Sequence, residues 1–185
     1  MKGLLLDSDY VKKGERSLMR LFVKRGDETI TALDPSFEPY LYAVAERPGR
    51  IAKAIGKLQV QKSGRTLKPK SVEVVERTLL GKKVESVKVT FHHQDDMHPL
   101  RHEIRGFPEV KDIYEFDIPP ARRYLVDHEL VPMSGVEIKG KVSEEDGRRE
   151  VLLEKPPIPT KVSEPGLNIM SFDIEVYNPT GSPRH

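Results

Sequence analysis

Apolar and polar residues along this chain change period several times, and each change marks an element. Gly3–Tyr10, Leu18–Lys24 and Glu28–Leu33 read as strands, with turns at Lys13-Gly14 and Gly26-Asp27. Together they predict a small antiparallel sheet. Pro39–Ala45 (PYLYAVA) is strand-like, and Pro48 then opens a helix in which Ile51, Ala54, Ile55 and Leu58 recur at helical spacing. A basic loop runs on to Lys70. Ser71–Leu80 and Val84–Phe91 are the next strands, joined by a turn at Gly81-Lys82-Lys83, and Val87, Val89 and Phe91 share one face. Asp95 or Asp96 is placed to cap a helix reaching Arg105, with Met97, Leu100 and Ile104 turned inward. Val110–Phe116 is again a strand. From Pro39 the order is therefore β-α-β-β-α-β, the split-βαβ or ferredoxin-like plan, which RNA-recognition modules also use.

Pro119 starts a further helix over Ala121–Leu130, and Val136–Val142 with Arg149–Leu153 reads as a hairpin around Asp146-Gly147. The proline-rich run from Lys155 to Pro159 cannot continue a helix or a central strand, so 155–166 reads as an extended linker. Leu167–Val176 then looks like the first strand of a new domain. The expected class is α+β, with 1–154 as one domain (ferredoxin-like core over 37–116), the linker over 155–166 and a second domain beginning at 167.

Composition narrows the function classes. Among 185 residues, 37% are hydrophobic and 32% charged, the balance of a globular protein with a heavily charged surface. The formal net charge is only +2, but from Arg47 to Lys88 twelve basic residues face three acidic ones. Such a tract attracts phosphates or is simply a solvated lysine-rich surface. With no cysteine there is no disulfide framework and no thiolate metal site, which points to a reducing, cytoplasmic compartment. Asp7 and Asp9 end the first apolar run too early for a signal sequence, and no stretch reaches the roughly 18 apolar residues of a membrane span. The histidines His98 and His102 have a spacing that can bind zinc on a helix, but a polar helix face is the better reading. No phosphate-binding glycine loop or Ser-His-Asp arrangement is present.

The chemistry concentrates at Asp173 and Glu175. Side chains two apart on a strand share a face, and paired carboxylates suit a hard divalent cation such as Mg²⁺ or Mn²⁺. The apolar run leading into them is the sign of a buried strand whose end presents the acids.

Ser171-Phe172-Asp173-Ile174-Glu175 resembles the first exonuclease motif of archaeal-type family B DNA polymerases. Phe107–Pro119 (FPEVKDIYEFDIP), Ala121–Leu125 (ARRYL) and Phe37–Tyr42 (FEPYLY) are similar to further blocks of that family, in the family's order. The resemblance implies an N-terminal template-binding domain followed by the first strand of a ribonuclease H-like 3′–5′ exonuclease. Asp173 and Glu175 would then be catalytic, metal-binding carboxylates, dependent on acids that later motifs supply. The piece alone is expected to be inactive, whereas the complete enzyme would polymerise and proofread with Mg²⁺ or Mn²⁺. Implied partners are single-stranded template DNA, the rest of the polymerase chain and a sliding clamp reached through it, with no membrane. The resemblance also implies a pocket that captures template uracil, and by motif match its residues are Tyr10, Pro39, Tyr40, Met97, Ile118 and Pro119, with Arg101 and Arg123 beside the strand. Met97 stands where the family often has a smaller aliphatic residue, and Pro120 where an aromatic is common. Two rival readings stay open: a free-standing ferredoxin-like module that binds nucleic acid, and a non-catalytic subunit docking on a separate polymerase chain.

Overall fold

The computed structural model describes residues 1–13, 16–62, 64–145, 148–162, 166, 167 and 170–173. Two sets of alternating strands each turn an apolar face inward, and each set finds its own cover. The larger sheet has seven strands in the order β11-β12-β3-β2-β1-β10-β13. These are β1 (Lys2–Lys13), β2 (Arg16–Arg25), β3 (Glu28–Asp34), β10 (Ser134–Glu137), β11 (Gly140–Glu145), β12 (Arg148–Leu153) and β13 (Ile158–Pro159). The first three form the antiparallel meander that the sequence predicts, with the β2–β3 turn at Gly26-Asp27. The small sheet of the sequence reading is thus the centre of a larger, mixed one. Strand β12 joins β3 in parallel, pairing Val151 with Ala32. On the other side β10 pairs with β1, and β13 with β10. The proline-rich stretch expected as a linker therefore contributes an edge strand, a place where a missing N–H is tolerated. Leu5, Met19, Leu21, Ala32, Val136 and Val151 form the core of this sheet. It is covered by Phe37 and by α3 (Pro120–Asp127), whose Tyr124 is fully buried.

The second sheet has the order β7-β8-β4-β9, antiparallel at every step. It comprises β4 (Tyr40–Ala45), β7 (Ser71–Leu79), β8 (Lys82–Thr90) and β9 (Val110–Tyr114). Helices α1 (Pro48–Ile55) and α2 (Gln94–Arg105) supply its cover. Leu41, Ala43, Val87, Val89 and Ile113 meet Ile51, Ile55, Leu100 and Ile104 in a second core. The β-α-β-β-α-β order is present, with one addition: the basic loop after α1 folds into a hairpin of β5 (Val60–Lys62) and β6 (Arg65–Leu67).

Several local details depart from the sequence reading. Helix α1 ends at Ile55, three residues before Leu58, because Gly56 already closes it. His93 is the N-cap of α2, and Asp95 and Asp96 lie in its first turn, where carboxylates complement the exposed N–H groups. The β7–β8 turn is Leu80-Gly81, one residue early. Both have positive φ (48° and 79°), the geometry a two-residue hairpin demands. In the expected strand 167–176, the described residues Leu167 and Met170–Asp173 belong to no regular element, and Met170 and Phe172 are 81% and 74% exposed. A strand exists only where a neighbour receives its backbone hydrogen bonds, and the described residues pair none with this segment. Glu175 and the Asp146-Gly147 turn lie outside the described residues. No helix among the described residues is long and apolar enough to cross a membrane.

Candidate nucleic-acid interface

Alternation along β4 sends Leu41, Ala43 and Ala45 to the helices and Tyr40, Tyr42 and Val44 to the other face. That face is where charge and aromatics meet. Tyr42 lies opposite Lys88 on β8 and Tyr114 on β9. The Arg77 guanidinium stands 4.6 Å from the Tyr42 ring centre, and Lys88 Nζ stands 4.6 Å from that of Tyr40. Tyr40 and Tyr42 meet edge to face at 5.5 Å.

Arg123, from α3, closes this face. It is 6% exposed, and its guanidinium lies 4.4 Å from the Tyr40 ring centre. Its Nη1 donates to the Glu115 carboxylate and, at 3.0 Å, to the Tyr40 hydroxyl. Its Nη2 donates to the Glu115 carbonyl at 2.8 Å. The Tyr40 hydroxyl in turn donates to the Asp127 carboxylate at 2.8 Å. Burial lowers the Arg123 pKa, but the hydrogen bond to Glu115 and the Tyr40 contacts outweigh it, so the net direction is upward. The Tyr40 phenol is pushed up by burial and by Asp127, against the pull of Arg123. The four residues thus form a chain of alternating donors and acceptors, Asp127–Tyr40–Arg123–Glu115. Glu115 sits at φ 63°, a left-handed position costly for a side chain with a Cβ. Both its carboxylate and its carbonyl are held by Arg123.

Directly after Glu115 the chain forms the lip of an open cleft of about 360 Å³, lined by Asp117, Ile118, Pro119, Arg122, Arg123 and Val126. Pro119, Arg122, Arg123 and Val126 stand at helical spacing, so one face of α3 with its N-cap makes the wall. Pro119 and Pro120 carry no N–H, which limits the lip's backbone donors to Asp117 and Ile118.

Of the residues expected at a template pocket, Ile118, Pro119 and Arg123 line this cleft, and Tyr40 adjoins it through its bond to Arg123. Arg101 stacks on Phe116 at 4.1 Å, two residues from Ile118. Pro39 is buried, and its carbonyl accepts the Phe91 amide at 2.8 Å. Met97 is 5% exposed within the helix-side core. Tyr10 packs on Phe37, and its hydroxyl bonds the Ser17 hydroxyl at 2.7 Å. Neither Tyr10 nor Met97 lines the cleft. Asp127 and Glu115 escaped the sequence reading. Asp127 was accessible as the i+4 partner of Arg123 on a helix. Glu115 gave no signal, because its role depends on a backbone angle.

Asp173 is exposed, and the described residues contain no group of three or more acidic or histidine side chains able to hold a metal ion. A single described carboxylate does not make a Mg²⁺ site, so no catalytic step is derived through one. The His98/His102 pair likewise gathers no further ligand among the described residues.

Comparison with known proteins gives these features a setting. Residues 111–185 match the family model described as DNA polymerase family B, exonuclease domain. The fold aligns over 100% of this chain, and 24% of the other, with a family B DNA polymerase from the hyperthermophilic archaeon Pyrobaculum calidifontis, at a TM-score of 0.78 and 27% identity. The chain is therefore of the family B DNA polymerase type, over the region that leads into the exonuclease domain. Within that family it sides with the archaeal enzymes. It is 40% identical over 134 residues to a DNA polymerase of Thermococcus kodakarensis and 38% identical over 134 residues to one of Thermococcus sp. strain 9oN-7. Those alignments cover 72% of this chain but only 8% and 17% of the two relatives.

Proposed function

We propose that this chain is the template-binding front of a DNA-directed DNA polymerase, and that its cleft takes an unpaired template base, uracil in preference to thymine. The observation that carries the proposal is the Asp127–Tyr40–Arg123–Glu115 chain, whose Arg123 lines the cleft together with Ile118 and Pro119. A flipped pyrimidine needs a shaped recess, fixed donors and acceptors, and cations near its phosphates. Ile118 and Pro119 give shape. The amides of Asp117 and Ile118 are donors fixed to the backbone. Arg122 is exposed, and Arg101 half-buried, near the path of a strand. Arg123 acts differently from the sequence expectation: its guanidinium is committed to Glu115 and Tyr40, so it frames the cleft.

The four-stranded unit has the strand order of a ferredoxin-like fold, which supports reading Tyr40 and Tyr42 as the aromatic face of a nucleic-acid module. In the complete enzyme Asp173 and Glu175 would bind Mg²⁺ or Mn²⁺ together with acids from other motifs. The metal's chemistry there is activation of water for 3′–5′ hydrolysis.

The test is fluorescence anisotropy with a single-stranded oligonucleotide carrying one uracil, against the same strand with thymine, at fixed low salt. Tighter binding of the uracil strand, lost in Tyr40→Ala, is the expected outcome. Equal binding of both strands removes the uracil reading, and absence of binding to either removes the template role.

A further inference from the structure

A second cleft among the described residues is larger than the one at Ile118. It is an open basin of about 510 Å³ beside the β5–β6 hairpin, lined by Arg65, Lys68, Lys70, His92, His93 and Ser17 among others. A smaller pocket of about 140 Å³, lined by Lys62, Arg65, Leu67, Asp95 and Asp96, adjoins it. Leu67 anchors the hairpin in the helix-side core, and neither recess shares a lining residue with the cleft at Ile118. We propose that this basic hairpin and its basin bind the phosphodiester backbone of single-stranded nucleic acid, as a second contact separate from the base-reading cleft.

The charge pattern carries the argument. Between residues 57 and 70 stand Lys57, Lys62, Arg65, Lys68 and Lys70, with no acidic residue. The acids facing the basin are Glu38 and Asp96. Each has one cation: Lys70 meets Glu38 at 2.5 Å, and Arg65 meets Asp96 at 3.5 Å. Lys62 and Lys68 are exposed and have no anionic partner among the described residues. A hairpin and flanks that gather five cations, of which Arg65 and Lys70 have a carboxylate partner, are destabilised by repulsion unless a polyanion neutralises the rest. The Lys70–Glu38 pair is 42% and 43% exposed, so it contributes little and yields readily to a phosphate. Asp96 is nearly buried and keeps Arg65 aimed at the rim. A mononucleotide would occupy the basin alone. The adjoining pocket has Asp95 and the paired Asp96 on its wall, yet it sets Lys62 beyond the basin, and a second cation there favours a strand. Commitment to a single strand rests on the template reading above.

The experiment measures binding of this chain to a fluorescent oligothymidylate across a salt series. Lys62→Ala/Lys68→Ala is the variant, since neither lysine supports another side chain. The control is Lys82→Ala/Lys83→Ala at the far β7–β8 turn. Each lost phosphate contact on a single strand reduces the log–log salt slope by about 0.7, so the variant's slope should be shallower by about 1.4. The control should match the parent, and uracil preference should survive in the variant. An unchanged slope, or an equal change in the control, overturns the proposal while leaving the template reading in place. Capture of polyglutamate in place of oligothymidylate overturns it in favour of an acidic protein partner. Failure of the parent chain to bind oligothymidylate overturns both readings.

Discussion

Replacing Arg123 by Met keeps most of the side chain's apolar stem and removes its guanidinium. Three hydrogen bonds go with it, two to Glu115 and one to Tyr40. A bond involving a charged group is worth about 1.5–3 kcal/mol and an ordinary one about 0.5–1.5 kcal/mol. The loss is smaller than the sum, because the Glu115 side chain is already 31% exposed and regains water once its partner is gone. The expected destabilisation is about 2–3 kcal/mol. For a chain of this size that lowers the thermal midpoint by about 5–10 °C. The left-handed backbone of Glu115 supplies an internal check. In the parent chain Arg123 holds that conformation; in Arg123→Met, among the described residues, only the 3.5 Å contact of the half-exposed Arg77 with the carboxylate is left against its strain, which is about 1–2 kcal/mol for a residue with a Cβ. Adding Glu115→Gly should therefore recover about 1 kcal/mol in the Arg123→Met background. Urea denaturation of the parent, the single variant and the double variant measures both effects. A cost below about 1 kcal/mol, or no recovery with glycine, would refute the claim that Arg123 holds the lip in place.

Two further outcomes follow from buried contacts. Tyr124 is fully buried with its hydroxyl on Asp34, and burial followed by the Asp34 charge raises its pKa above the ordinary 10.0. The folded state thus keeps a proton that the unfolded chain releases. Stability from this group is full below pH 10.0 and declines as pH rises further, and Tyr124→Phe should flatten that alkaline decline in melts followed by circular dichroism while costing about 1.5–3 kcal/mol at neutral pH. A Cβ on Gly135 would stand 2.2 Å from the Thr160 carbonyl oxygen, so Gly135→Ala should detach β13 and speed hydrogen exchange at the Thr160 amide, which now donates to Gly135 at 2.9 Å; a still-protected amide would contradict the observed pairing.

Periodicity revealed most of the framework because its cause is local. The alternation of Val87, Val89 and Phe91, and the helical spacing of Met97, Leu100 and Ile104, both end as buried faces. What sequence pattern could not convey is which distant strand completes which sheet. Nothing in Arg149–Leu153 says that it lies parallel to Thr31–Leu33, since either neighbour satisfies the same hydrogen bonds. Tyr40 and Arg123 were legible through motif resemblance, but their mutual bond was not. Motif match placed Arg123 beside the strand, and only its burial shows that it faces inward. The basin hairpin was visible solely as a run of charge, because a three-residue strand is too short to show a period.

The parallel pairing of β3 with β12 also fixes an order of events. The four-stranded unit draws every strand from residues 40–114, a continuous stretch, whereas the seven-stranded sheet joins residues 2–34 to residues 134–159. As the chain leaves the ribosome, β1, β2 and β3 emerge first with a meander whose two edges lack partners. They wait more than a hundred residues for β12, while the later-born unit closes behind them. Loop closure of that length slows assembly, and edges left open that long are sites of mispairing. The nascent meander is thus the part of the molecule most in need of protection, although in the finished protein it is the centre of the larger sheet.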